Sequence, residues 1–409
     1  MVQVLEFGYR RDMSMNARPL MPSLGLVALL NGVAFADLAP PPPPQPVERP
    51  VPGASAALTA PVVKTGYKVV EVAEGLDHPW SLAFLPDGAI LVTERAGRLR
   101  IIRDGKLVAE AVAGVPAVHT GSQAGLFDVV LHPDFAANSL VYLTYAHGTD
   151  GANALRVARA RFDGSSLKDL RVIFEAKPLK DTNNHYGARM VFLPDGTFAL
   201  TIGDGFEYRE RAQDLSSHLG KIVRLKDDGS EPGDNPYLAT AGTAKGLYSA
   251  GHRNQQGLAL DPVTGVLYET EHGAKGGDEL NVILPGKNYG WPLITHGRDY
   301  SGAQISPFNA KPGLEQPLVY WTPSIAPSGT AVYRGDKFPA WNGDIFVGAL
   351  AKQHLRRVDL DEQGNAVGEQ QLLTERGERI RDVRASPDGF LYVTTDDEAG
   401  KVLRIEPSP

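Results

Sequence analysis

The chain contains no cysteine. That removes disulfides, thiolate zinc sites, iron–sulfur clusters, cysteine nucleophiles and c-type haem attachment together. Basic blocks are missing as well. The 41 Lys and Arg are scattered, 48 Asp and Glu outnumber them, and the net charge is −7. Nucleic acid is therefore not an expected partner. No HExxH or other close His pair suits zinc catalysis, and there is no G-x-x-x-x-G-K-[ST], no G-x-G-x-x-G opening a helix, and no G-x-S-x-G nucleophile elbow. Beyond the N-terminal region no apolar run is long enough to span a bilayer as a helix.

What is abundant is turn chemistry: 44 Gly and 31 Pro among 409 residues point to a largely β chain. The first sixty residues stand apart. Arg18, the short apolar core Leu20 to Phe35 and Ala34-Phe35-Ala36 have the layout of a secretory signal peptide over residues 1–36, cleaved before Asp37. Residues 37–62, with five consecutive prolines from Pro40 to Pro44, read as an extended tether. The expected location is periplasmic or secreted, with no integral membrane segment in the mature chain.

The body, residues 63–409, repeats a phrase. An apolar strand, a tight turn and a second strand occur at Pro86-Asp87-Gly88, and the phrase returns at His132-Pro133-Asp134, Pro194-Asp195-Gly196, Asp261-Pro262 with Gly265, and Pro387-Asp388-Gly389. Pro presets φ in such a turn, and Gly accepts a positive φ that strains other residues. The turn prolines lie 47, 61, 68 and 125 residues apart, so one unit is hidden in the last interval, around Asp336–Ala349. Six irregular, strand-only units predict an all-β, six-bladed propeller of four-stranded antiparallel blades. Two β-sandwich domains are the competing architecture, but nothing inside the body resembles an interdomain linker.

Unusual residues collect where strands give way to loops, where binding groups usually sit. In Asn184-His185-Tyr186-Gly187 a His stands beside a Gly just before a strand, a position suited to a general base, although single histidines are commonly structural. Asp204 leaves a strand between Gly203 and Gly205, which by itself reads as a turn. Gly251-His252-Arg253-Asn254-Gln255-Gln256-Gly257 is a polar run whose Arg can fork onto a carboxylate. Glu271 to Glu279 (EHGAKGGDE) offers glycine carbonyls and acidic oxygens, a chemistry that suits Ca2+ or a plain loop equally. Arg379-Ile380-Arg381-Asp382 sets two guanidiniums on one side of an extended segment, fit for a polyanion or for a solvated edge.

Taken in order, with LVTERAG at residues 91–97, SQAGL around Gln123, NYGWP at 288–292 and RIRDVRASPDG at 379–389, these phrases resemble the soluble pyrroloquinoline-quinone-dependent aldose sugar dehydrogenases of the glucose/sorbosone dehydrogenase family. The resemblance runs from about Leu76 to Ile405. It implies two cofactors, pyrroloquinoline quinone and Ca2+. It implies His185 as general base and Asp204 as the carboxylate orienting it. Gln123, Arg253, Asn254, Arg379 and Arg381 match cofactor-holding groups, and Gln123 and Tyr300 match residues lining the sugar site. The carbonyls of Gly273 and Ala274 match ligands of the activating calcium, and Glu279 and Tyr289 those of a second, structural calcium. The family usually carries Pro at the position of Ala274. It also carries a cofactor-binding Lys where this chain has Ala351, so Lys352 substitutes only if a loop or bulge re-aims it.

The implied reaction is oxidation of an aldose at C1 to a lactone. With no haem motif, electrons must pass to a separate acceptor (a cytochrome, quinone or dye), and the protein is expected to be a monomer or homodimer. A calcium-dependent sugar lactonase and a non-catalytic sugar-binding propeller are the alternatives. The first has no use for a row of Arg, and the second is favoured only by Ala351.

Overall fold

A computed structural model of the chain describes Leu58 and residues 62–408. The expected leader, and all of the expected tether but Leu58 and Val62, lie outside the described residues. No helix among the described residues is long and apolar enough to cross a membrane.

The strands form six four-stranded antiparallel sheets arranged as a six-bladed β-propeller. The innermost strands are Pro79–Phe84, Leu126–Leu131, Met190–Phe192, Gln255–Leu260, Pro327–Val332 and Ile380–Ala385, and each packs against the next to close a ring. Blade 6 is completed by the first strand of the body. Tyr67–Leu76 pairs antiparallel with Gly400–Pro407, from Tyr67 opposite Pro407 to Leu76 opposite Gly400. Both termini of the body are thereby fixed in one sheet.

The repeated turn phrase has a single structural meaning. Each instance joins the innermost strand of a blade to the second strand, and Gly88, Gly196, Gly265 and Gly389 adopt φ of 86°, 79°, 72° and 85°. The hidden unit falls where expected: Pro327–Val332 and Ile345–Ala349 are joined through a 3-10 turn at Pro339–Trp341.

Second strands such as Thr197–Ile202, Ile345–Ala349 and Leu391–Thr395 are buried along their whole length, because each is covered by a neighbouring blade on both faces. Separate small cores fill the gaps between blades. One gathers Phe127, Tyr142, Phe198, Leu200 and Val223, and another stacks Phe338 on Trp341 with centroids 4.0 Å apart.

This topology sorts the chemistry. Strand pairs joined by a short turn at one end present their free ends together at the other. Residues preceding innermost strands (Gln123, His185, Arg253, Asn254, Arg379) and residues following second strands (Asp204, Gly273, Leu350, Asp396) therefore share the end of the ring opposite the Pro-Asp-Gly turns.

Candidate active site

His185 and Asp204 are brought together from the loops flanking the first two strands of blade 3. Nδ1 of His185 lies 2.7 Å from Oδ1 of Asp204, and both side chains are almost fully buried. His185 holds the left-handed region at φ 51°, and Gly203 permits the approach, since a Cβ there would sit 2.3 Å from the His185 carbonyl oxygen. The Asp204 carboxylate also accepts the Phe206 main-chain N–H at 2.8 Å and the Trp291 indole N–H at 2.8 Å. Its three partners require it to act as an acceptor only. The His185 proton is accordingly assigned to Nδ1, which leaves Nε2 as the basic nitrogen. Burial holds the imidazole below its ordinary value against the pull of Asp204, while the charges of Arg253 and Lys180 lower it further. A neutral imidazole near neutral pH is the form a general base needs.

Gln123 holds the backbone of His185, its Oε1 accepting the His185 main-chain N–H at 2.9 Å. Phe206 meets the imidazole edge to face at 5.0 Å, and Tyr300, exposed beyond it, lies 6.3 Å from Phe206. Sequence reasoning passed over Phe206, whose φ of 69° follows from its place after Gly205 in a tight turn.

Arg253 is buried, and its Nη1 donates to the carbonyls of His272 at 3.0 Å and Gly273 at 2.7 Å. Its guanidinium sits 5.3 Å from the Trp291 ring and 6.0 Å from that of Tyr300. Asn254 is committed to holding loops: its Oδ1 accepts from Gly187 N at 3.3 Å and Gln256 Nε2 at 3.2 Å.

Arg379 and Arg381 do share one side of their segment, and both converge on Asp396 Oδ2 at 2.9 Å. Burial alone would push the Asp396 carboxyl up, but the two guanidiniums hold it well below the usual range. Asp396 was not foreseen. It follows the second strand of blade 6 as Asp204 follows that of blade 3, and that parallel is the signal by which it was findable. A cavity of about 260 Å³ opens beside Arg379, lined by Gln353, Glu378, Thr395 and Asp396.

The strand before Ala351 ends at Ala349, and residues 350–353 form a turn in which Gln353 has φ 52°. The re-aiming loop that Lys352 required is thus present. It turns Gln353, not the exposed Lys352, onto the cavity wall.

The calcium candidates are divided. The Gly273 carbonyl already accepts from a guanidinium, so a cation there would share that oxygen with Arg253 or displace it. Ala274 is buried against Ala212 and Trp291, and its carbonyl faces Gly297. Glu279 turns inward to Asn281, whose Nδ2 lies 3.3 Å from its carboxylate. The Tyr289 hydroxyl donates to Val282 O at 2.6 Å and accepts from Leu284 N at 2.9 Å, and its ring stacks on His252. Both side chains thus have partners within the protein.

The chain as a whole has counterparts among known proteins. The family described as glucose/sorbosone dehydrogenase matches residues 76–404. The aldose sugar dehydrogenase YliI of Escherichia coli is 43% identical over 360 residues, 86% of this chain and 96% of that protein. Quinoprotein glucose dehydrogenase B of Acinetobacter calcoaceticus is 28% identical over 419 residues, 82% of this chain and 87% of that one. The structure of the PQQ-bound aldose sugar dehydrogenase of Streptomyces coelicolor superposes with a TM-score of 0.70 at 29% identity, covering 85% of this chain and all of that one.

Proposed function

The chain belongs to the glucose/sorbosone dehydrogenase family of quinone-dependent sugar dehydrogenases, and from that premise we propose that it oxidises aldoses at C1 to lactones, with His185 as general base. The observation that carries this reading is the buried His185–Asp204 pair at 2.7 Å, beside cationic groups on neighbouring loops.

Pyrroloquinoline quinone is a polyanion, and the residues present suit one. Arg381 keeps a buried Nε with no hydrogen-bond partner among the described residues, and Arg379 is half exposed at the mouth of the cavity. Arg253, Arg379 and Arg381 would hold its carboxylates and oxygens, with Gln123 and Asn254 as neutral partners. When bound, the quinone supplies a two-electron acceptor for the hydride leaving C1, sharpened by Ca2+ as a Lewis acid. Gly273 and Ala274 would be the carbonyl donors for that ion, with Arg253 beside them to face an anionic ligand.

The protein's own part is proton handling and placement. Nε2 of His185 takes the proton of the anomeric hydroxyl as the C1 hydride departs. Asp204 then stabilises the imidazolium through the proton on Nδ1. Phe206 and Tyr300 offer apolar faces on which a sugar ring can lie, and they shield the imidazole from bulk water. Electrons leave to a separate acceptor, and a leader over residues 1–36 would make the enzyme periplasmic or secreted.

Reconstitution tests this. Protein produced without the quinone is given pyrroloquinoline quinone and Ca2+, and dye reduction is followed with glucose and a panel of aldoses. Turnover is expected only with both additions and is expected to vanish in His185→Ala. Turnover that survives in that variant, or that needs no quinone, refutes the assignment.

A further inference from the structure

Behind the Arg253 loop, at the boundary of blades 3 and 4, lies a charged cluster that the proposed reaction does not use. Strands Leu267–Glu271 and Asp278–Ile283 pair so that Glu271 faces Glu279 and Glu269 faces Asn281, which puts all four side chains on one face. Glu269 and Asn281 are fully buried and Glu271 nearly so. His252, from the loop that follows blade 3, is fully buried against them, with Nδ1 3.4 Å from Glu271 Oε1.

The hydrogen bonding of this cluster does not close. One Asn281 amide nitrogen is shared among three carboxylates, at 3.1 Å from Glu269, 3.4 Å from Glu271 and 3.3 Å from Glu279. Glu269 Oε1 and His252 Nδ1 are buried and make no hydrogen bond among the described residues, Nδ1 having only the 3.4 Å approach to Glu271. No Lys or Arg side chain among the described residues forms an ion pair with any of the three. Lys221, which is nearby, spends its ammonium on the carbonyls of Arg211, Ala212 and Leu219. Buried polar atoms are normally paired, and an unpaired charge is far costlier than an unpaired amide.

Two agents can neutralise the carboxylates, protons or a cation. A shared proton can serve His252 Nδ1 and Glu271 Oε1, which face each other at 3.4 Å, but it leaves Glu269 Oε1 without a partner. A cation answers all three side chains at once, because donor atoms of His252, Glu269 and Glu271 all lie within 4.8 Å of one another. We propose that His252, Glu269 and Glu271 bind a divalent transition-metal ion, of the Mn2+ or Zn2+ type, that fastens blade 3 to blade 4 beneath the active site. One imidazole nitrogen with two carboxylates favours such an ion over Ca2+, which takes oxygen ligands. The donors differ from those expected for either calcium. The other Glu271 oxygen accepts the Arg253 main-chain N–H at 2.5 Å, so the ion would stiffen the loop that presents Arg253.

The test uses the whole chain, stripped with a chelator and then titrated with Co2+ as a spectroscopic probe in excess Ca2+. The expected result is one equivalent bound with a visible d–d band, competed by Zn2+, and a thermal midpoint that rises on loading. His252→Ala and Glu269→Gln should each weaken binding by about ten- to a hundredfold. Glu269→Gln is isosteric and keeps the oxygen that Asn281 needs, so it reports even if His252→Ala does not fold. Absence of a Co2+ equivalent in excess Ca2+, together with a more stable Glu269→Gln protein, would overturn the proposal and show that protons hold the cluster. Sugar oxidation is not the readout, so failure here leaves the dehydrogenase assignment standing.

Discussion

Replacing Asp204 by Asn isolates what the carboxylate does for the base. In the structure its oxygens accept from three N–H donors: His185 Nδ1 at 2.7 Å, Phe206 N at 2.8 Å and Trp291 Nε1 at 2.8 Å. An asparagine offers one oxygen and one NH2, so at least one donor meets another donor. If it is His185, the imidazole loses its anchor or takes the tautomer with its proton on Nε2, where the basic lone pair is needed. Losing a charge-assisted hydrogen bond in the transition state costs about 1.5–3 kcal/mol. At about 1.4 kcal/mol per decade, kcat should fall about ten- to a hundredfold. KM and quinone affinity should change little, because Asp204 is buried behind the base.

The pH profile adds a sign. Burial lowers the His185 pKa and Asp204 raises it, so loss of the carboxylate should shift the acid limb of kcat/KM to lower pH. Trp291→Phe is the companion. It keeps an aromatic ring near Arg253 but frees one carboxylate oxygen to attract His185 more strongly, so the same limb should move to higher pH. Stopped-flow reduction of the reconstituted enzyme measures both. Wild-type kcat with an unmoved limb in Asp204→Asn, or a defect confined to quinone binding, would refute the orienting role.

Ala351→Lys restores the side chain expected there. Because residue 351 is exposed in a turn, the substitution should fold normally and tighten quinone binding by about tenfold or more, measured by fluorescence titration. His218 is buried between Lys177 N and Lys245 O, and burial pushes its pKa down to about 4. The unfolded chain protonates it near 6.5, so stability is complete above that value and is lost as pH falls toward 4. The loss is on the order of 3 kcal/mol at most, and urea unfolding should show a shallower pH dependence in His218→Gln. Deleting Tyr67–Leu76 exposes the edge of Gly400–Pro407, and aggregation with a lowered unfolding midpoint is expected by light scattering and calorimetry. A truncated protein as soluble and stable as the full chain would show that ring closure contributes little.

What could be read from the sequence was local, and what could not was a relation between distant segments. Pro86-Asp87-Gly88 and its repeats carry their turn in three adjacent residues, so the blade count followed from the chain alone, including the unit without the phrase. The closing strand Tyr67–Leu76 carries no such mark, since its partner lies more than three hundred residues away. The same division runs through the site. His185, Asp204, Arg253, Arg379 and Arg381 stood out as reactive residue types beside strand ends. Asp396 and the Trp291 indole act only through groups from other blades or loops, and no spacing rule relates Trp291 to Asp204, 87 residues earlier.

Lys352 shows where a local rule stops. Alternation of side chains holds while the backbone is extended. Here the strand ends at Ala349, and a positive φ at Gln353 decides which side chain faces the cavity. The buried pair Glu269 and Glu271 shows the same limit from the opposite direction. From the sequence, Glu271 reads as part of a loop and Glu269 does not stand out, yet both lie on one strand, Leu267–Glu271. Both acids are buried, so their charge must be answered by something the strand itself does not contain.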